Sequence, residues 1–124
     1  MSVNALQTSA SALQTNQFRL DVSANNVANV NTDNFRASRV ATSDNAYVNS
    51  IGTGTRVAAT YAPNRPASPA ATYADAGQAG AEQSNTDLAV EMTNQMNFRN
   101  AYSANAAMGR TENEVSQTLL DLVG

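Results

Sequence analysis

From Val3 to Val27 the apolar positions Val3, Leu6, Ala10, Leu13, Leu20, Ala24 and Val27 recur in alternating steps of three and four, with Gln17 as the one polar interruption. That is the spacing of a coiled-coil seam. The run contains neither Pro nor Gly, so the spacing predicts a helix over residues 3–29, about 40 Å long at the usual rise per residue. A single apolar seam requires a helical partner, because one stripe on an isolated helix stays wet. The helix should end in Asn29-Val30-Asn31-Thr32-Asp33-Asn34, where short polar side chains compete for backbone hydrogen bonds and Asn tolerates the left-handed conformation.

The partner is found at the other end of the chain. Ser84-Asn85-Thr86-Asp87 has the form of a capping box, with Asp87 placed in the first turn to complement the helix dipole. The apolar-periodic run behind it predicts a second helix to about Leu122. Leu88, Met92, Met96, Tyr102 and Ala106 form one stripe; Phe98, Ala101, Met108, Val115, Leu119 and Leu122 form another. Two stripes imply two partners. Gly109 lies inside this helix, at a cost of about 1 kcal/mol relative to Ala, and marks either close packing or a break.

Between the helices, segments 35–42 and 54–62 carry β-branched and aromatic residues in loose alternation, with Gly52 and Gly54 as turn signals, and read as a small hairpin. Residues 62–83 contain Pro63, Pro66 and Pro69 and then mostly small residues, the composition of an extended strap. The expected fold is therefore mainly α: two long terminal helices packed as an antiparallel coiled-coil hairpin around a small irregular or β middle. Its divisions are 1–34, 35–83 and 84–124.

Composition limits what such a fold can do. Of the 124 residues 42% are hydrophobic, but much of that share is alanine, with three Phe, four Tyr and no Trp. Little bulky apolar surface is available to offset roughly 1–2 kcal/mol of backbone entropy per ordered residue, and assembly is the natural remedy. All seven basic residues are Arg, and the net charge of −3 is scattered, so no basic stripe marks a nucleic-acid partner. With no Cys and no His, thiolate or imidazole metal sites and the common catalytic triads have no building material. Asp87 and Glu91, one turn apart, read as a solvated face rather than an acid–base pair. Neither a cofactor nor a small-molecule substrate is expected, and the chain is not expected to be an enzyme. Met1 to Leu13 has no basic start and no apolar core of seven residues, which is unlike a cleaved secretory leader.

The segment Ser23-Ala24-Asn25-Asn26-Val27-Ala28-Asn29-Val30-Asn31-Thr32-Asp33-Asn34-Phe35-Arg36 resembles the signature near the N-terminus of flagellar rod and hook proteins. Ser84-Asn85-Thr86-Asp87-Leu88-Ala89-Val90-Glu91-Met92-Thr93, then Ala101-Tyr102-Ser103-Ala104-Asn105 and a closing Leu119-Leu120-Asp121-Leu122, is similar to the C-terminal half of that family's pattern. The resemblance spans residues 1–40 and 82–124 and is only faint around Gly54-Thr55-Arg56-Val57. Hook and distal rod proteins carry much larger middles, so a chain this short looks most like a small proximal rod protein or a short paralogue. Two departures are Asn34, where the family has a turn glycine, and Asn100, where it has an Arg; Arg99 stands one position earlier.

The resemblance implies a structural subunit of the flagellar basal-body rod. Such a subunit is exported without a cleaved signal peptide by the flagellar export apparatus, and assembles helically with its own copies and other rod or hook proteins in the periplasm-spanning drive shaft. The candidate assembly residues are Leu6, Leu13, Leu20, Asn25, Asn26, Val27 and Asn29 on the first helix, with Leu88, Met92, Met96, Phe98, Tyr102, Asn105, Val115, Leu119 and Leu122 on the second. The alternatives are a hook-type axial subunit or a secreted helical-hairpin binding module.

Overall fold

The computed structural model describes residues 2–45, 47–48, 51–62 and 83–123. Helix α1 spans Ser2–Ala28 and helix α2 Leu88–Val123. Strand β1 (Arg39–Asp44) pairs antiparallel with β4 (Thr55–Tyr61), and the short β2 (Tyr47–Val48) pairs with β3 (Ile51–Gly52). The extended strap read into residues 62–83 lies almost entirely outside the described residues.

Both helix ends form for local reasons. After Ala28 the backbone closes a succession of tight turns, Val30 N–H to Val27 C=O, Thr32 to Asn29 and Phe35 to Thr32. Asn34 takes φ 60°, a left-handed conformation that Asn accepts more readily than most residues. At the start of α2, Asp87 itself is the cap: its Oδ1 accepts from the N–H groups of Ala89 at 3.0 Å and Val90 at 3.2 Å. Ser84, expected to lead the capping box, instead accepts from Thr86 N–H inside the approach to the helix. The cap sits three residues later than the Ser-x-x-Asp pattern suggested.

The two helices run antiparallel. Ser23 meets Glu91, the Arg19 guanidinium lies 5.5 Å from the centre of the Phe98 ring, and a Cβ built on Gly109 would sit 3.5 Å from Ser9 Oγ. The hairpin lies along a neighbouring flank of α1: Arg19 Nη2 donates to Thr42 Oγ1 at 3.0 Å and Thr15 Oγ1 to the Thr55 carbonyl at 3.3 Å. Helix α1 is thus the central element, touching α2 and both long strands of the hairpin. The expected hairpin is present, but its first strand starts later than residue 35. Residues 37 and 38 spend backbone groups on asparagine side chains instead of on a strand partner.

The interior differs from the one the apolar spacing predicted. Along α1 the buried positions are Ser9, Thr15, Asn16, Ser23 and Asn26. Ser9, Asn16 and Ser23 are a heptad series set one residue, or about 100°, behind the apolar series Ala10, Gln17 and Ala24. The apolar stripe was expected to be the seam; it lies at the seam's edge, with Leu13, Leu20 and Val27 half-buried and Leu6 exposed. The reason is that α1 serves two neighbours, and the arc facing both is lined by small polar side chains, of which Thr15, Ser23 and Asn26 bond across it while Ser9 bonds back to the Leu6 carbonyl. Among the described residues Ala37 is the single buried apolar side chain, against eight buried polar ones. None of the buried side-chain polar atoms described lacks a hydrogen-bond partner.

Two glycines show how close this packing is. Gly54 has φ +106°, and a Cβ there would overlap Ser11 Oγ and approach Thr8 Cα to 3.2 Å. Gly109 has only an ordinary contact, and α2 continues through it unbroken. Gly54→Ala is therefore expected to destabilise the chain by at least about 2 kcal/mol through strain and the lost approach of hairpin to helix. Gly109→Ala is expected to be neutral or stabilising by up to about 1 kcal/mol. Thermal unfolding followed by circular dichroism checks both signs.

Candidate assembly interface

Glu91 is 1% exposed, and it was expected on a solvated face. It is the hub of a network that ties α1, α2 and β1 together. Its Oε2 accepts from Ser23 Oγ at 2.6 Å; its Oε1 accepts from Asn26 Nδ2 at 3.1 Å and is ion-paired with the Arg39 guanidinium. A carboxylate can be buried only when its charge and lone pairs are met in this way. Asp87, one turn earlier, is exposed and serves as the helix cap, so the two acids have different roles.

Asn26 is also 1% exposed. Its side-chain amide imitates a strand partner: Nδ2 donates to the Ser38 carbonyl at 2.8 Å and Oδ1 accepts from Ser38 N–H at 2.8 Å. Asn85 does the same work from the other end of the chain, its Oδ1 accepting from Ala37 N–H at 2.7 Å. The segment entering β1 is therefore held by asparagines from both terminal motifs. Asn26 is internal in this structure and leaves the candidate surface. Asn29 turns back on its own helix end, donating to the Asn25 carbonyl at 2.9 Å, while Asn25 is exposed.

The large apolar side chains of α2 are distributed very differently. Phe98 is half-buried beneath Arg19, a cation–π contact, and Asn105 is half-buried with its side chain bonded to the Ala101 carbonyl. Leu88, Met92 and Met96 are exposed on one side of the seam, Met96 by 67%. Met108, Val115, Leu119 and Leu122 are exposed on the other side, with Leu122 at 82%. The second stripe expected from the sequence is divided accordingly: Phe98 turns toward α1, and its other large members face solvent. Tyr102 borders an open groove of about 380 Å³ with Leu13, Gln17 and Phe18, on the same side as the α1 apolar stripe.

Helix α2 thus presents three faces, one polar seam against α1 and an apolar stripe on either side of it. The register of the helix pair also carries the last turns of α2 past Ser2, where Leu119, Leu120, Leu122 and Val123 are all more than half exposed.

Residues 6–36 match the family described as Flagella basal body rod protein, and residues 78–122 match the one described as Flagellar basal body rod FlgEFG protein C-terminal. Together the two segments cover more than half the chain, in the order and at the ends where the two motifs stand. The chain belongs to the flagellar basal-body rod protein family. It is a structural, axial component of the flagellum, and its place is the basal body. A search of the curated proteins finds no matching relative. In this rod protein the two matched segments converge on one network: the N-terminal match supplies Ser23 and Asn26, and the C-terminal match supplies Asn85 and Glu91.

That convergence was partly legible beforehand. The asparagines were visible in the motif, but Glu91 was not, because its partners lie 52 to 68 residues away in sequence. The signal that could have found it is the polar heptad Ser9, Asn16 and Ser23, which marks a helix whose seam needs a polar partner.

Proposed function

We propose that this chain is a subunit of the rod that assembles helically with its own copies and with other axial proteins, using the apolar sides of α2 and the apolar edge of α1. The observation that carries the reading is the inversion of burial. The interior of the subunit is polar, and Leu88, Met92, Met96, Met108, Val115, Leu119 and Leu122 are exposed. A monomer with this distribution gains little from the hydrophobic effect, whereas an assembly that covers both sides of α2 gains a great deal. Two unlike apolar faces on opposite sides of a helix favour head-to-tail contacts, which generate open helical arrays rather than closed dimers. A short proximal position in the rod fits the short middle of the sequence, residues 35–83, and export in an unfolded state fits a chain whose isolated fold is weakly held.

The direct test is to tag the protein in a motile strain and purify intact basal bodies. The rod reading requires the tagged chain to remain with them through detergent and salt washing. Recovery in the soluble fraction alone, with normal basal bodies, would remove it from the axis and favour a soluble binding module.

A further inference from the structure

We infer that Glu91 is the register key of the helix pair: its buried network selects one sliding position of α2 along α1 that the rest of the seam barely discriminates. The seam is made of small and polar groups, Ser9 against Gly109 and Ser23 against Glu91, with Phe98 as its one large ring. If α2 slid by one heptad, Ser116 would meet Ser9 and Phe98 would meet Ser23; the Arg19–Phe98 contact and the Asn85–Ala37 bond just before α2 would be given up, but no fully buried apolar contact, since among the described residues no apolar side chain of either helix is buried. Apolar contact therefore specifies the register weakly. The Glu91 network is lost at once in such a slip, since Asn26, Ser23 and the Arg39 guanidinium sit at a single level of α1 and β1. A buried polar group that is satisfied in one register only selects that register by penalising all others, the best-attested use of such groups. Register then decides which α2 stripe lies beside which α1 residue, and so the shape the subunit shows its neighbours.

This inference concerns pairing inside one subunit and stands apart from the rod assignment. The chain contains no cysteine, so disulfide cross-linking reads the register cleanly. Ser9→Cys with Gly109→Cys reports the native register, because a Cβ at Gly109 would lie 3.5 Å from Ser9 Oγ. Ser9→Cys with Ser116→Cys reports a slip of one heptad, since in the native register Ser116 lies about 10 Å farther along the helix. Each pair is placed in the full chain with Glu91 present and in the Arg39→Met, Glu91→Met background, which removes both charges without stranding one in the interior. With Glu91 present, the native cross-link is expected to exceed the slipped one by roughly tenfold or more; in the double-methionine background the two are expected to come within about threefold while helicity is kept. A native cross-link that stays dominant in that background overturns the inference. So does loss of helicity in the double variant, which would make the network a source of stability rather than of register.

Discussion

Glu91→Ala is expected to remove most of the isolated chain's stability and to leave the cells non-motile. The substitution deletes a carboxylate that is almost fully buried, leaves Ser23 and Asn26 with only backbone carbonyls to donate to, and leaves the Arg39 guanidinium beside an emptied site. Breaking a buried pair in this way costs about 3–5 kcal/mol, reduced here to about 2–4 because Arg39 is one-third exposed. An ordinary domain holds only about 5–15 kcal/mol in total, and a chain with one buried apolar residue among those described stands at the low end of that range. Glu91→Gln keeps an acceptor and the shape while losing the charge, so it should fall between the two. Urea unfolding followed by circular dichroism ranks the three; a Glu91→Ala chain that unfolds like the unsubstituted protein would contradict the burial of this group.

Deleting residues 115–124 is expected to have the opposite pattern, sparing the subunit and preventing assembly. The truncation removes Val115, Leu119, Leu120, Leu122 and Val123, all exposed, and leaves Glu91, Phe98 and Gly109 with their contacts. Helicity per remaining residue should change little, because the lost turns lie beyond the α1 register and rest on no intramolecular apolar core. Incorporation into basal bodies should fall below detection, measured by immunoblotting of the purified structures. Replacing residues 70–80 with a Gly/Ser stretch of equal length is the matched control. Its few large apolar groups argue for a permissive strap, and incorporation should persist. A truncated chain that assembles normally would relocate the interface away from the end of α2.

The two terminal helices were legible in the sequence because their apolar periodicity is long and uninterrupted, and that signal depends only on local geometry. The hairpin was legible from Gly54 and the β-branched residues around it. The face of each helix was harder to read. On α1 the apolar residues marked the edge of the seam rather than its centre, which is lined by Ser9, Asn16, Ser23 and Asn26, the last two held there by hydrogen bonds to α2 and the segment entering β1. Glu91 was misplaced for the same reason: periodicity scores a carboxylate as a solvent residue, and only the fold brings Arg39 and Asn26 to it. Asn26, assigned to an interface between subunits, is spent within one. On α2 the second expected stripe is divided, Phe98 facing α1 and Met108, Val115, Leu119 and Leu122 facing solvent.

Coverage of these stripes on assembly is tested most directly by solvent access to α2 in the free and the assembled chain. In a chain without cysteine, Met96→Cys and Leu122→Cys each place one thiol on opposite sides of the seam at strongly exposed positions. Maleimide should label both in the dilute chain at rates typical of open thiols, and in intact basal bodies carrying the same variants at rates at least about tenfold slower. Equal labelling in the two states would show that the apolar sides of α2 remain open to water in the assembled rod, and would contradict the account.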